Sequence, residues 1–447
     1  MGQKRSHLPT PKLNAMQRLI VAKSENLRGT VAVPGDKSIS HRAALLGAMA
    51  EGETVARGFL MADDCLRTLA AVEALGCQVR READLVVVHS HGYPAWRRPA
   101  DVLDLGNSGT TMRLLLGALA GRPFTATLDG DESLRRRPMD RVAVPLGMMG
   151  ARVEGRGERC LPPVTITGGP LRAIEYEMPV ASAQVKSAIL LAGLQATGMT
   201  TVIEPAPSRD HTERMLRFFG ATVLRAYPRV SISGPQNLTG CEFNVPGDIS
   251  SAAYFVAAAL LAPGSEVVIE GVGVNPTRTG FLDILEMMGA QVEVMNERSD
   301  GEPIADLRVT AAELRGAEVG GELIPRAIDE LPLVAVLATQ ADGETVVRDA
   351  AELRVKESDR IAAMARGLRA MGAEIEERDD GWLIRGPKRL SGARIDAALD
   401  HRVAMSFAVA GLVAEGETII DGAEAVATSF PDFAERLSSI GAQVKHE

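Results

Sequence analysis

The chain has 447 residues, 46% of them hydrophobic and 24% charged, with a formal net charge of −9. This balance excludes a disordered chain, and the acidic surplus argues against a general nucleic-acid or membrane surface. The longest apolar runs, around 251–263 and 403–414, fall short of the roughly 20 residues that a membrane helix needs.

Residues 1–21 are expected to form a flexible tail, because the first 18 mix basic and polar residues with two prolines and no apolar core of signal-peptide length. Beyond them the dominant feature is a repeat. Six predicted helices close with Gly, a small residue, one variable residue and then Val or Ile. The glycines are Gly76, Gly150, Gly220, Gly289, Gly372 and Gly441, spaced by 74, 70, 69, 83 and 69 residues. Glycine just past a helix is the expected left-handed cap, and the β-branched residue after it starts a strand. Upstream of most caps, a second apolar helix runs into a turn and strand, as at Ala50–Val55, Pro263–Val268, Asp342–Val346 and Glu415–Ile419. Units of about 70 residues bury too little surface to stand alone, so they must pack on one another.

A longer echo divides the six units. Val33-Pro34-Gly35-Asp36 returns 212 positions later as Val245-Pro246-Gly247-Asp248, close to three units on. Pro-Gly-Asp ends a strand and lets Asp cap the next helix. The two copies are expected to be hinge points between a three-unit domain at 35–246 and a discontinuous second one, 22–34 plus 247–447. Cys65, Cys77, Cys160 and Cys241 lie far apart without metal-ligand spacing and read as free thiols of a reducing cytosol.

Lys and Arg gather in tight groups beside turn-forming residues despite the acidic total. These are Gly35–Arg42, Arg135–Arg141, Arg354–Arg360 and Asp400–Arg402, each near a helix start, where backbone N–H groups and the helix dipole already favour anions. Any one group reads equally well as solvated surface charge. Four at equivalent points of a repeat fit a small polyanionic ligand held by converging Arg and Lys. His41 and His401 read as hydrogen-bonded structural residues. Leu105–Arg113 is a further glycine-rich anion cradle, yet no nucleotide-binding fingerprint is present.

Six ordered motifs together resemble the 3-phosphoshikimate 1-carboxyvinyltransferase (EPSP synthase) family. They are Pro34–Arg42, Gly106–Arg113, Arg136–Met139, Ala181–Ser187, Arg354–Arg360 and Asp400–Arg402, and the resemblance runs from about residue 22 to the C-terminus. It implies a two-domain inside-out α/β barrel, each domain three βαβαββ repeats around bundled helices. It also implies transfer of the enolpyruvyl group of phosphoenolpyruvate to shikimate 3-phosphate, with no metal or organic cofactor, in a cytoplasmic monomer with no nucleic-acid or membrane partner.

Carried over by motif, Lys37, Ser38 and Arg42 would contact the substrates from the first domain. Ser182, Ala183, Gln184 and Arg209 would hold shikimate 3-phosphate, and Asp329 its hydroxyls. Gly109, Arg137, Arg360 and Arg402, with Lys37 and Gln184, would form the phosphoenolpyruvate pocket. Lys356 and Glu357 would flank the reacting carbons. Glu357 is the candidate general acid, Asp329 the candidate base, and Lys37 is placed to share proton transfer, so two groups compete to protonate C3.

Ala427–Pro431 lacks the lysine that some members carry before Thr-Phe-Pro, and so resembles a divergent bacterial subgroup. Glyphosate-tolerant members of that subgroup can carry Ala where this chain has Gly109, so sensitivity to glyphosate is expected. A sister transferase acting on UDP-N-acetylglucosamine usually carries a loop cysteine, which Asp131–Arg141 lacks. A non-catalytic anion-binding scaffold is the other alternative, and it would have no use for Asp329 and Glu357.

Overall fold

Asp36, Ser108, Ser182, Asp248 and Asp400 each accept a hydrogen bond from a backbone N–H in the first turn of the helix that follows, as a capping side chain should. Those helices, Lys37–Met49, Gly109–Leu119, Ala183–Gly193, Ile249–Leu261 and His401–Gly411, join Leu331–Ala338 as six that are buried along nearly their whole length. A helix that is apolar all round belongs in a core. The structure, a computed structural model, describes residues 18–447.

A second set of helices carries one apolar face each and ends at the six repeat glycines. All six glycines have positive φ, from 86° at Gly289 to 116° at Gly150, so the sequence repeat is a repeat of left-handed caps. The unit carrying the 83-residue interval holds a longer hairpin, Val292–Asp300 against Glu302–Thr310.

Six sheets of four or five strands lie outside the helices. Within the second unit Leu103–Asp104 runs parallel to Thr125–Asp129, which pairs antiparallel with Leu161–Thr167, itself antiparallel to Arg152–Arg156. The same order recurs in the third and fifth units. Apolar core residues form two separate clusters, one from Ile39 to Val245, the other from Leu19–Val33 together with Ile249–Ala442. Helices inside and sheets outside, twice over, make the expected inside-out α/β architecture.

The expectation of a tail through residue 21 is corrected. Leu19–Ala22 is a strand between Glu417–Asp421 and Gln443–His446, in the slot that the second hairpin strand fills in other units. Arg18 and Glu447 exchange both backbone hydrogen bonds at 3.0 Å, so the end of the chain closes on this strand. The rest of the expected tail, residues 1–17, lies outside the described residues. Among the described residues no helix is long and apolar enough to cross a membrane.

The two Pro-Gly-Asp segments cross. Asp36 donates its N–H to the Pro246 carbonyl at 2.7 Å, and Asp248 to that of Pro34 at 2.9 Å. A Cβ on Gly35 would lie 1.8 Å from the Gly58 carbonyl oxygen, so only glycine fits there.

Glycines of two kinds should respond differently to alanine. At Gly220 an added Cβ meets nothing within 4 Å, leaving only backbone strain, so Gly220→Ala should cost about 1 kcal/mol. At Gly117 it would lie 2.3 Å from the Ala188 carbonyl of the neighbouring central helix, and Gly117→Ala should cost about 3 kcal/mol. Denaturant unfolding of both variants checks the order.

Candidate active site

The N-terminal ends of the six central helices meet. His41 lies 3.3 Å from Thr111, Arg113 donates to Gln184 at 2.7 Å, and Arg42 donates to Ser187 at 2.9 Å. Across the crossing, the Lys37 N–H donates to Asp248 at 3.3 Å, Ser250 Oγ donates to Glu330, and Arg402 donates to the Asp329 carbonyl at 3.2 Å. Six positive dipole ends therefore face one region, into which the chain also places its buried Arg and Lys.

Lys37 and Ser38 occupy the first turn of Lys37–Met49, and Arg42 the second. Arg42 is pinned by Thr212 at 2.7 Å, the Ser38 carbonyl and Ser187, and burial lowers its guanidinium to about 10. Ser182 caps the helix that begins at Ala183. Gln184 is held from both ends, accepting from Arg113 and donating to Thr110 Oγ1 at 2.9 Å. Gly109 opens Gly109–Leu119, and a Cβ there would lie 3.0 Å from Arg113 Nη1 and 3.3 Å from Arg137 Nη1.

From the second half, Glu357 accepts from Arg360 at 2.6 Å and lies 3.9 Å from Arg137 of the first half. Arg360, 1% exposed, also donates Nε to Asp400 at 2.8 Å, while its buried Nη1 has no hydrogen-bond partner. Asp329 pairs with Arg209 at 2.5 Å and lies 3.6 Å from Arg360 and 3.7 Å from Arg402. Lys356 is near enough to act electrostatically on Asp329. The charged residues expected at the site thus pair across the two halves, Arg137 with Glu357 and Arg209 with Asp329, while Ser38, Ser182 and Ala183 lie at helix starts. One partner differs from the expectation: the Arg209 guanidinium, assigned to substrate phosphate, rests on Asp329.

The charges set the protonation states. Burial would push Glu357 up, but Arg360 and Arg137 outweigh it and hold the carboxyl well below its usual range. Asp329, partly exposed, is likewise held well below by Arg402, Arg209 and Lys356, against the desolvation of its carboxylate. Burial works against the Lys37 ammonium, yet Asp64 at 2.5 Å outweighs it and raises its pKa. Lys356 goes the other way, lowered chiefly by burial. The site therefore holds ionised carboxylates beside a protonated Lys37.

Several partners were not expected from the sequence. Asp64 holds Lys37, Asp400 holds Arg360, Asn107 accepts from Arg137 at 2.6 Å, and Arg113 holds Gln184. Arg113 and Asp400 lie inside quoted motifs and were within reach. Asp64, in the unremarkable Asp63-Asp64-Cys65, carried no local signal.

Two halves that bring cations and carboxylates together around a cleft of helix starts define a protein built to bind small anionic substrates. A profile of the family described as EPSP synthase (3-phosphoshikimate 1-carboxyvinyltransferase) matches residues 21–437. The chain is 52% identical over 423 residues to the 3-phosphoshikimate 1-carboxyvinyltransferase of Brevibacillus brevis, covering 94% of this chain and 99% of that one. It is 55% identical over 424 residues to the Synechococcus protein of the same name, covering 93% and 97%. A solved EPSP synthase from Acinetobacter baumannii superposes with a TM-score of 0.88 at 46% identity, covering 97% of this chain and all of that one. The chain belongs to the 3-phosphoshikimate 1-carboxyvinyltransferase family, the EPSP synthases.

Buried His41 shares a 2.7 Å hydrogen bond with Thr68, and burial lowers its pKa from the usual 6.5 to about 3; burial lowers His401 to about 4. The unfolded chain binds protons at these sites that the folded chain refuses. Stability is therefore full above pH 6.5 and falls as pH drops from there towards 3 to 4. Thermal midpoints should begin to fall near pH 6.5, above the range where carboxylates titrate, and His41→Asn should flatten that slope.

Proposed function

We propose that Glu357, Asp329 and Lys37 carry the proton transfers of this family's reaction in this chain. Phosphoenolpyruvate is assigned to Lys37, Gly109, Arg137, Gln184, Arg360 and Arg402. Shikimate 3-phosphate is assigned to Lys37, Ser38, Arg42, Ser182, Ala183, Gln184, Arg209, Asp329 and Lys356. The enzyme transfers the enolpyruvyl group of phosphoenolpyruvate to the 5-hydroxyl of shikimate 3-phosphate and releases phosphate, a step of chorismate and aromatic amino acid biosynthesis. The 5-hydroxyl gives its proton to Asp329 as its oxygen bonds to C2 and C3 gains a proton from Glu357 or Lys37, giving a tetrahedral ketal; C3 then returns a proton as the C2–O bond to phosphate breaks.

One observation carries the assignment: Glu357 bridges Arg360 at 2.6 Å and Arg137 at 3.9 Å, one cation from each half. A simple anion trap gains nothing from a carboxylate at its centre, whereas proton transfer can use one. Its protonation state suits the role only once substrate is present. Phosphate and carboxylate groups arriving at Arg137 and Arg360 offset the positive field that keeps Glu357 ionised, raising its pKa. Lys37, its pKa raised by Asp64 against the effect of burial, holds a proton, so it supplies the alternative donor. On the same reading, Arg209 exchanges Asp329 for the shikimate phosphate, freeing that carboxylate for the hydroxyls.

The crossing at Pro34–Asp36 and Pro246–Asp248 is assigned as the hinge, with moving bodies 35–246 and 22–34 plus 247–447. Because Arg137 and Arg209 lie in one and Glu357 and Asp329 in the other, closure completes the site.

Phosphate release should require both phosphoenolpyruvate and shikimate 3-phosphate; release with UDP-N-acetylglucosamine in place of the latter would overturn the substrate. Glu357→Gln should keep shikimate 3-phosphate affinity and lose at least about 100-fold in turnover. An equal loss of both would leave it a structural ion pair.

Gly109 leaves the Arg113 and Arg137 guanidinium groups where an alanine methyl would press on them at 3.0 and 3.3 Å. The enzyme should be inhibited by glyphosate, and Gly109→Ala should relieve inhibition while raising KM for phosphoenolpyruvate. Near-normal turnover of the unaltered enzyme in millimolar glyphosate would refute this.

A further inference from the structure

The turn Asn275-Pro276-Thr277-Arg278 joins the strand Glu266–Gly273 to the helix Gly280–Met287 and contains none of the residues assigned to substrates above. It is nevertheless among the most tightly held segments near the cleft. Asn275 and Arg278 are both buried, and the turn is locked internally. The Arg278 N–H donates to the Asn275 carbonyl at 2.7 Å, and the Thr277 N–H and hydroxyl donate to Asn275 Oδ1 at 2.9 and 2.8 Å.

From this turn, contacts reach in two directions. Asn275 Nδ2 donates to Asp210 at 2.7 Å, crossing to the first half, and to Glu302 at 2.8 Å. Glu302 in turn meets His211 at 2.8 Å, a second tie to the same segment of the first half. Arg278 Nη2 donates to Ser250 Oγ at 2.6 Å and lies 3.8 Å from Glu330, 3.4 Å from Asp248 and, through Nη1, 3.9 Å from Asp36.

The residues so gripped are chain neighbours of those assigned to substrate. Asp210 follows Arg209, Glu330 follows Asp329, and Asp36 precedes Lys37. The Arg209–Asp329 ion pair at 2.5 Å closes the ring. Charge balance does not explain Asn275, because Asp210 already has Arg214 at 2.9 Å and Arg225 at 2.5 Å. What a neutral amide adds is direction, and a tie between the halves.

We propose that Asn275 and Arg278 are positioning residues for the transfer reaction: one turn of the second half grips the Arg209 segment through Asp210 and the Asp329 segment through Glu330, setting Arg209 and Asp329 opposite each other. The inference rests on the assignment of Arg209 to shikimate 3-phosphate. Asn275 acts through Arg209, so its removal leaves phosphoenolpyruvate binding nearly intact while the shikimate phosphate loses a well-aimed partner.

A double-mutant cycle tests this, reading the Kd for shikimate 3-phosphate by calorimetry and both KM values by phosphate release. Asn275→Ala should raise Kd and KM for shikimate 3-phosphate about tenfold, with KM for phosphoenolpyruvate within about twofold. In an Arg209→Ala background the same change should add almost nothing. Additive effects, or equal losses for both substrates, would overturn the positioning role while leaving Arg209 as a phosphate ligand. An Arg209→Ala enzyme with unchanged shikimate 3-phosphate affinity would overturn that assignment and the inference with it. Asn275→Asp keeps the shape but sets a carboxylate against Asp210 and Glu302; if Asn275→Ala does not fold, the cycle is run with it and the same outcomes decide.

Discussion

The constraint on which the rest depends is the meeting of six helix N-termini in one place. Each brings unpaired backbone N–H groups and a partial positive charge, and the chain adds Arg42, Arg137, Arg209, Arg360, Arg402, Lys37 and Lys356. Without counter-charge such a concentration of like charge would destabilise the closed form. The chain supplies carboxylates at close range: Asp64 for Lys37, Asp329 for Arg209, Glu357 and Asp400 for Arg360. Asp64 and Asp400 pair within one half, whereas Asp329 and Glu357 also meet cations of the other.

That division follows from burial and bond count. Asp400 is fully buried, accepts from Arg360 and from the backbone of its own helix, and has no reason to leave. Glu357 and Asp329 are partly exposed and sit between cations of opposite halves, so each depends on both halves for its partners. The crossing of the two Pro-Gly-Asp segments joins the halves. Its two backbone hydrogen bonds keep the halves in register, and Asp248 accepts from the Lys37 N–H beside it.

What the sequence made legible was local. Left-handed glycine caps, capping Asp and Ser residues, and the anion-binding groups at helix starts all depend on neighbours within four residues, so pattern alone located them. The strand Leu19–Ala22 was missed because its partners are Glu417–Asp421 and Gln443–His446, at the far end of the chain. Four apolar residues are too few to announce a strand by periodicity. Asp64 and Asn275 were missed for a related reason, since their meaning lies in a partner distant in sequence, Lys37 or Asp210. Lys37, Glu357 and Arg360 were found through their motifs, but their protonation states were not. Only the contacts reveal that Glu357 sits ionised between two guanidinium groups.

Arg360 unites these points. Its Nε is fixed by Asp400 and one Nη2 proton by Glu357, which leaves the buried Nη1 without an acceptor and aimed near Asp329. An unpaired buried donor is costly, and an anion bound at this end of the guanidinium would complete it. Because Asp400 holds the guanidinium plane beforehand, that anion meets a donor already in position and little reorganisation remains to be done at the moment of reaction. As the anion draws on Arg360, the grip on Glu357 weakens and its affinity for a proton rises. On the proposed assignment of Glu357 as the acid, the anion that binds at Arg360 also prepares the group that protonates it.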